Sequence, residues 1–250
     1  MSATKHRNHK IRLDLLLVQR GLTDSREKAR AMIMAGLVEV DRVRVDKAGH
    51  STSPSSTVSL KNPYPPYVSR GGLKLEAALD QFSVDIKGKV LLDVGSSTGG
   101  FTDCLLQRGA QRVIAVDVGY GQLHWKLRND SRVIVLEKTN IRNLMPEDLE
   151  EQINGAVIDV SFISLKLVIP PVSKLLLREA FIIALIKPQF EVGKGQVGKG
   201  GVVRNPSMHQ EVISKLSAFF ESSGWTVMEH MVSPLLGPKG NKEFLIYLKR

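Results

Sequence analysis

The stretch from Val90 to Phe101 constrains this chain more than any other. Val90-Leu91-Leu92-Asp93-Val94 is a near-continuous apolar run that stops in a turn, Gly95-Ser96-Ser97-Thr98-Gly99-Gly100-Phe101. Such a run suits a parallel strand buried on both faces. Further strand candidates follow at 112–117, 133–137, 156–162, 181–186 and 244–248, with helical patterns between them. The clearest helix is 207–223, opened by Asn205-Pro206 and closed by Gly224, with Val212, Leu216 and Phe219 on one face. Strands alternating with helices predict a doubly wound, Rossmann-like α/β sheet. In such sheets ligands sit beyond the carboxyl ends of the strands, near the point where strand order reverses.

That rule selects the residues to weigh. Glycines in the first turn let the backbone approach a ligand closely. Asp93, Gly95, Ser96, Ser97, Thr98, Gly99, Gly100 and Phe101 are therefore candidate cofactor-binding residues. Asp117 ends the second strand, 22 residues after Gly95, where an acid accepts hydrogen bonds from a ribose. The spacing is not the G-x-G-x-x-G of dinucleotide binders, because Ser97 stands at the second glycine position, so a nicotinamide cofactor is the weaker reading. D-x-G-x-x-x-G-G with a second-strand acid suits S-adenosylmethionine, which has ribose and methionine ends but no pyrophosphate. The alternative is a structural turn in a domain that binds no nucleotide. Gly193-x-x-x-x-Gly198-Lys199 imitates a phosphate-binding loop, yet Gly200 replaces the Ser or Thr that would meet magnesium, and Gly200-Gly201 breaks the helix that should follow. It reads as a basic glycine-rich loop, either closing over substrate or simply lying on the surface.

Four polar residues fall where the sheet places chemistry. Lys74 opens the helix before the first strand, Asp159 ends the fourth strand, Lys187 ends the fifth, and Glu243 precedes the last. Each alone reads as a solvated charge. Lys187 is harder to dismiss, because it directly follows a buried-looking strand and Pro188 biases its backbone to an extended form. Asp159 also belongs to the candidate cofactor site. The six histidines are scattered without ligand spacing, so no metal is expected.

The chain holds 35 Lys+Arg against 25 Asp+Glu, a formal net charge of +10, which attracts polyanions. The excess is uneven. Residues 1–67 carry twelve bases and six acids, a net of +6 in about a quarter of the chain. The proline-rich Lys61-Asn62-Pro63-Tyr64-Pro65-Pro66 marks a boundary, giving residues 1–62 as a small α+β domain, 63–68 as a linker and 69–250 as the large domain. In the small domain, Leu13, Leu16 and Leu17 line one face of a helix ending at Gly21. Ser25 then caps a second helix, Arg26 to Met34, with Ala29, Met32 and Ile33 inward and Arg26 and Arg30 outward. Val38 to Val45 alternates as strands do. The single Cys104 makes no internal disulfide, the basic start lacks the apolar run of a signal peptide, and apolar runs fall far short of the roughly 20 residues of a membrane helix. A cytoplasmic protein with a polyanionic partner is expected.

Arg12-Leu13-Asp14-x-x-Leu17, Gly21-Leu22-x-x-Ser25-Arg26-x-x-Ala29 and Gly36-x-Val38-x-Val40 resemble the RNA-binding domain of the ribosomal-protein-S-four type, over roughly residues 11–60. The resemblance implies that Arg12, Arg26, Lys28 and Arg30 contact structured RNA. Asp41-Arg42 departs from the usual Asn-Gly, which is expected to alter the turn. The order Lys74, Asp159, Lys187, Glu243 resembles the catalytic tetrad of FtsJ-like ribose 2′-hydroxyl methyltransferases. The runs Val68-Ser69-Arg70-Gly71-Gly72-Leu73-Lys74-Leu75, Gly99-Gly100-Phe101-Thr102, Asp117-Val118-Gly119-Tyr120-Gly121-Gln122-Leu123, Asp159-Val160-Ser161-Phe162-Ile163-Ser164-Leu165 and Lys187-Pro188-Gln189-Phe190-Glu191-Val192-Gly193-Lys194-Gly195 resemble the TlyA, or hemolysin A, family over nearly the whole chain.

That resemblance implies S-adenosylmethionine-dependent 2′-O-methylation of cytidine in the ribosomal RNA of ribosomal subunits. Lys187 would take or stabilise the alkoxide charge, Lys74 and Glu243 would orient Lys187 and the hydroxyl, and Arg70, Lys194 and Lys199 would steer RNA. Family members with an added C-terminal helix act on both subunits and shorter ones on large-subunit RNA. Seven residues follow Glu243, which points to the large subunit. Two rival readings are a pore-forming hemolysin, which would need a membrane-inserting apolar segment, and a non-catalytic ribosome-assembly factor, which the loss of a tetrad residue would signal.

Overall fold

The computed structural model describes residues 10–60, 66–193, 195–198 and 200–250. Lys194, Lys199 and residues 61–65, which include the first half of the expected linker, lie outside the described residues. The chain divides into two compact units, Met1–Pro65 and Pro66–Arg250.

The first unit runs β1 (Ile11–Arg12), α1 (Leu13–Gln19), α2 (Arg26–Met34), β2 (Val38–Val40), β3 (Val43–Val45), β4 (Ser51–Thr52) and β5 (Val58–Leu60). Strands β3, β2 and β5 form one antiparallel sheet, and β1 pairs with β4. Leu13, Leu17, Ala29, Ile33 and Val38 form its small core. Ser25 caps α2 by accepting the Lys28 backbone N–H. The hairpin turn is not altered as expected. Asp41 and Arg42 both adopt positive φ, +51° and +67°, as a two-residue turn matched to strand twist requires. Asp41 also accepts the Thr57 N–H, which ties the turn to the neighbouring segment.

One buried carboxylate organises this unit. Asp14 is fully buried at the start of α1. It accepts two hydrogen bonds from Arg12, at 3.0 and 2.9 Å, and one from Arg26 Nε at 3.1 Å. The Arg12 guanidinium, helped by Arg26, holds its carboxyl down at about 2 against the opposing effect of burial. Arg26 therefore does not simply point outward beside Arg30; it folds back over α1 with half its side chain exposed.

The second unit contains α3 (Gly71–Gln81), β6 (Val90–Val94), α4 (Gly100–Gln107), β7 (Arg112–Val116), α5 (Trp125–Arg128), β8 (Val133–Leu136), β9 (Ile153–Ile158), α6 (Leu165–Leu175), β10 (Leu176–Ile186), α7 (Pro188–Glu191), α8 (Pro206–Ser222), β11 (Thr226–Val232) and β12 (Phe244–Lys249). Its sheet has seven strands in the order β11-β12-β10-β9-β6-β7-β8. The pairs β10–β9, β9–β6, β6–β7 and β7–β8 are parallel, while β12 runs antiparallel to both neighbours. Strand order reverses between β6 and β9, which places the ligand crevice past Val94 and Ile158.

Helices cover both faces. Leu92, Val94, Ile158 and Ile186 pack with Val168, Leu216 and Phe220 on one side. Leu91, Val157 and Leu185 pack with Leu75, Leu79 and Leu105 on the other. The face of α8 is shifted from the expected one: Phe220 is fully buried and Phe219 only half-buried. Strand β9 starts at Ile153, earlier than the apolar run suggests, because Gly155 sits inside the strand, where the ring of Phe181 occupies the space of a Cβ. Strand β10 likewise reaches back to Leu176.

Alternation along β6 turns Asp93 away from the crevice, on the side of Leu91 and beneath α4. It is fully buried, with Oδ2 accepting the Thr102 hydroxyl at 2.6 Å and Oδ1 without a partner. Burial pushes its carboxyl up to about 7, with the Thr102 hydrogen bond opposing. Asp93 thus supports the turn from below and does not line the crevice.

Two predictions follow from these carboxylates. Asp14 has a folded-state value below its ordinary one, so its contribution is present above about pH 3.8 and lost as pH falls toward 2. Asp14→Asn should weaken the first unit at pH 7 by about 1–2 kcal/mol, allowing for screening at the half-exposed arginines, read as faster amide hydrogen exchange in α1. Asp93 is the opposite case. Its favourable neutral form is fully present below about pH 3.8 and is lost as pH rises through about 7. Relative to wild type, Asp93→Asn should therefore gain melting temperature between pH 5 and pH 8. A difference that ignores pH would contradict the assignment.

Candidate active site

Two cavities meet at the strand-order reversal. The larger, about 500 Å³, is bounded by Gly95, Ser97, Asp117, Asn140, Asp159 and Phe162, among others. The smaller, about 300 Å³, is bounded by Arg70, Lys74, Ser96, Thr98, Lys187 and Glu243, among others. They share Gly95, Ser97, Asp159 and Ser161. The first is of a size to take a small-molecule ligand. Gly95 makes the junction possible: its φ is +83°, and a Cβ there would stand 2.6 Å from the Asp159 carbonyl oxygen. Only glycine allows the ends of β6 and β9 to close this tightly.

All four tetrad candidates line the smaller cavity. They are joined as two ion pairs. Lys74 Nζ donates to Glu243 Oε2 at 2.5 Å, with the Glu243 side chain fully buried. Lys187 Nζ stands 2.6 Å from Asp159 Oδ1 and donates to Ser161 Oγ at 2.9 Å. The Asp159 oxygen that faces this ammonium is itself buried. Glu243 Oε1 is buried without a partner, and a Cβ on Gly237 would collide with it. A buried acceptor without a partner is costly. Two ammonium groups and two carboxylates on one small cavity suit proton handling and stabilisation of an anionic oxygen.

The candidate cofactor residues divide. Gly95, Ser97, Asp117 and Asp159 line the larger cavity, and Ser96, Thr98, Gly100 and Phe101 line the smaller. Gly99 joins Asp93 in bordering neither: its φ is +95° and its Cα packs on Leu123 and Leu127. Asp117 accepts the Ser97 N–H at 2.8 Å and the Gly119 N–H at 2.7 Å, which fixes the carboxylate at the rim. Of the RNA candidates, Arg70 is exposed on the smaller cavity. Arg12 and Arg26 are held by Asp14, Lys28 pairs with Asp24 at 2.9 Å, and Arg30 is exposed.

Several residues in the site carry no independent signal in the sequence. Ser161 and Phe162 fall within the 159–165 run, which does not show that Ser161 accepts a hydrogen bond from Lys187. Asn140 and Arg142 enter the larger cavity from a short 3-10 turn after β8. Phe162 is 90% exposed with φ +64° and rests against Phe190, ring centroids 5.0 Å apart. An exposed aromatic in a strained backbone conformation at a cavity rim is a functional signal, but burial and φ appear only in three dimensions. Among the described residues, no group of three or more His, Cys, Asp or Glu could hold a metal ion, and no helix is long and apolar enough to cross a membrane.

Comparison with known proteins identifies both units. The FtsJ-like methyltransferase family matches residues 67–250, and the S4 domain family matches residues 11–58. The chain is 45% identical over 239 residues to the 16S/23S rRNA (cytidine-2′-O)-methyltransferase TlyA of Mycobacterium tuberculosis, covering 95% of this chain and 89% of that protein. It is 40% identical over 186 residues to the 23S rRNA (cytidine-2′-O)-methyltransferase TlyA of Campylobacter jejuni, covering 72% and 70%. A solved structure from Streptococcus thermophilus has a TM-score of 0.74 at 44% identity, covering 97% of this chain and 89% of that one. The chain belongs to the FtsJ-like methyltransferase family, in the TlyA group that carries an S4 domain ahead of the methyltransferase fold.

Proposed function

We propose that this protein transfers a methyl group from S-adenosylmethionine to the 2′-hydroxyl of a cytidine in ribosomal RNA. The observation that carries this reading is the convergence of Lys74, Asp159, Lys187 and Glu243 on one cavity beside a larger, ligand-sized one. Gly95, Ser97, Asp117, Asn140 and Asp159 would hold the cofactor. Their carboxylates suit a ribose and a cationic sulfonium. When bound, the cofactor supplies an electrophilic methyl group. The target ribose enters the smaller cavity, and the Lys187 ammonium, steadied by Asp159 and Ser161, stabilises negative charge developing on its oxygen. The Glu243 carboxylate, paired with Lys74 on the same cavity, would receive the hydroxyl proton. A nucleotide must leave its stack to enter such a site.

The division of labour follows the charge. Residues 1–62 would grip folded RNA, with Arg12, Arg26, Lys28 and Arg30 on that surface, residues 63–68 would link, and residues 69–250 would carry the chemistry, with Arg70, Lys194 and Lys199 steering RNA. The two relatives named above have 23S RNA in common, so large-subunit RNA is the target assigned first. Such a substrate places the protein in the cytoplasm. The four complete tetrad positions weigh against a non-catalytic assembly factor.

The test supplies radiolabelled S-adenosylmethionine to isolated large subunits, small subunits and naked ribosomal RNA. Wild type should label large-subunit RNA. Lys187→Ala should lower transfer by about 10²–10⁴-fold while cofactor affinity stays within a few-fold. No label in any RNA, or near-normal turnover by Lys187→Ala, would contradict the reading. RNA affinity should also fall steeply as salt rises, because phosphate neutralisation releases counterions.

A further inference from the structure

We propose that Glu191 is a positioning residue for methyl transfer. Its carboxylate latches the loop that carries Asp159 to the loop that carries Lys187, and this latch sets where the Lys187 ammonium stands. The proposal rests on the reading of Lys187 and Asp159 given above and adds a residue outside the tetrad.

The two loops leave the sheet from neighbouring parallel strands. The ladder between β9 and β10 ends at the pair Ile158 and Ala184, so Asp159 and Lys187 lie beyond it. Three side-chain contacts then continue the join in register. Lys187 meets Asp159 and Ser161. Phe190 meets Phe162 at 5.0 Å between ring centroids. Glu191 Oε2 accepts the Ser164 hydroxyl at 2.6 Å, and its Oε1 accepts the Leu165 N–H at 2.8 Å. The contacts advance together along both segments, from 187 to 191 on one and from 159 to 165 on the other.

Glu191 is the outermost and best-anchored rung. Ser164 caps α6 and accepts the Lys166 N–H at 3.2 Å, so Glu191 and Ser164 together close the start of that 11-residue helix. A carboxylate is favoured there by the unpaired amides and the helix field. Burial pushes the Glu191 carboxyl above its ordinary value, while the Ser164 and Leu165 hydrogen bonds pull it back. Its two oxygens are thus committed to the loop opposite, and it borders neither cavity. Between the two ends of the join lies Phe162, at φ +64° and 90% exposed, a conformation that persists only when its surroundings impose it. Without the latch, the Asp159 loop loses its tether at Ser164, and the contacts of Lys187 and Phe190 must hold both loops.

The experiment compares wild type with Glu191→Ala, Glu191→Gln and Ser164→Ala, each checked for an unchanged melting temperature within a few degrees. The first readout is independent of methyl transfer. Lysine acetylation by acetic anhydride is followed at Lys187 by mass spectrometry, with Lys74, paired to Glu243, as internal control. Lys187 should react at least threefold faster in Glu191→Ala, and less so in Ser164→Ala, with Lys74 unchanged. The second readout is turnover on ribosomal RNA. The rate at saturation should fall about tenfold or more in Glu191→Ala, with KM for RNA and cofactor affinity within about twofold. Glu191→Gln, which keeps an acceptor for Leu165 but not for Ser164, should fall between. Equal acetylation of Lys187 in wild type and variants overturns the latch, whatever happens to the rate. Faster acetylation with unchanged turnover, or a loss that appears in KM instead of in the rate, overturns the positioning role. If Glu191→Ala does not fold, Ser164→Ala decides by the same outcomes. A wild type that transfers no methyl group defeats the proposed function, and with it the positioning role, while acetylation still judges the latch.

Discussion

The second unit turns on one close approach of backbone. Gly95 at φ +83° brings the end of β6 against the Asp159 carbonyl, where a Cβ would stand 2.6 Å from that oxygen. The sheet reverses its strand order between these two strands, so each feeds its following loop to a different side of the crevice. Both cavities share Gly95 and Asp159 because both are built on that contact. A side chain at position 95 would force the strands apart and move every group that follows them.

Charge pairing sets the chemistry on this frame. Four ionisable residues from α3, the ends of β9 and β10, and the start of β12 face one small cavity. They are tolerable together because they are paired, Lys74 with Glu243 and Lys187 with Asp159. Glu243 keeps its second oxygen, Oε1, buried without a hydrogen-bond partner. Asp93 and Asp14 show the contrast. Asp14, surrounded by two arginines, is held ionised and organises the first unit, whereas Asp93, buried with only Thr102, is driven toward its neutral form.

Much of this was legible in residues 90–117 and in the tetrad spacing. The alternating pattern predicts the parallel sheet, and the rule about strand ends selects Lys74, Asp159, Lys187 and Glu243, which do share a cavity. Strand β11 was missed because it lies at the sheet edge with most residues exposed, so no buried run announces it. Asp93 and Gly99 look like ligand contacts because the turn is contiguous in sequence. Strand alternation and the packing of Leu123 and Leu127 turn them inward, and neither effect shows in a motif. The anchoring role of Asp14 and the latch of Glu191 need partners twelve and 26–27 residues away, which meet only after folding. The Asp41-Arg42 turn keeps its positive φ values without glycine, because strand pairing and the Asp41–Thr57 bonds outweigh local preference.

In the proposed reaction the methyl group goes to a ribose oxygen and not to a base. A methylated 2′-oxygen cannot attack the neighbouring phosphate, so the linkage beside it survives alkali. The direct measurement is alkaline hydrolysis of ribosomal RNA labelled by this protein with a radioactive methyl donor. The label should be recovered in alkali-stable dinucleotides that begin with a 2′-O-methylated cytidine. Label recovered entirely in ordinary mononucleotides, as base methylation would give, would contradict the proposed reaction.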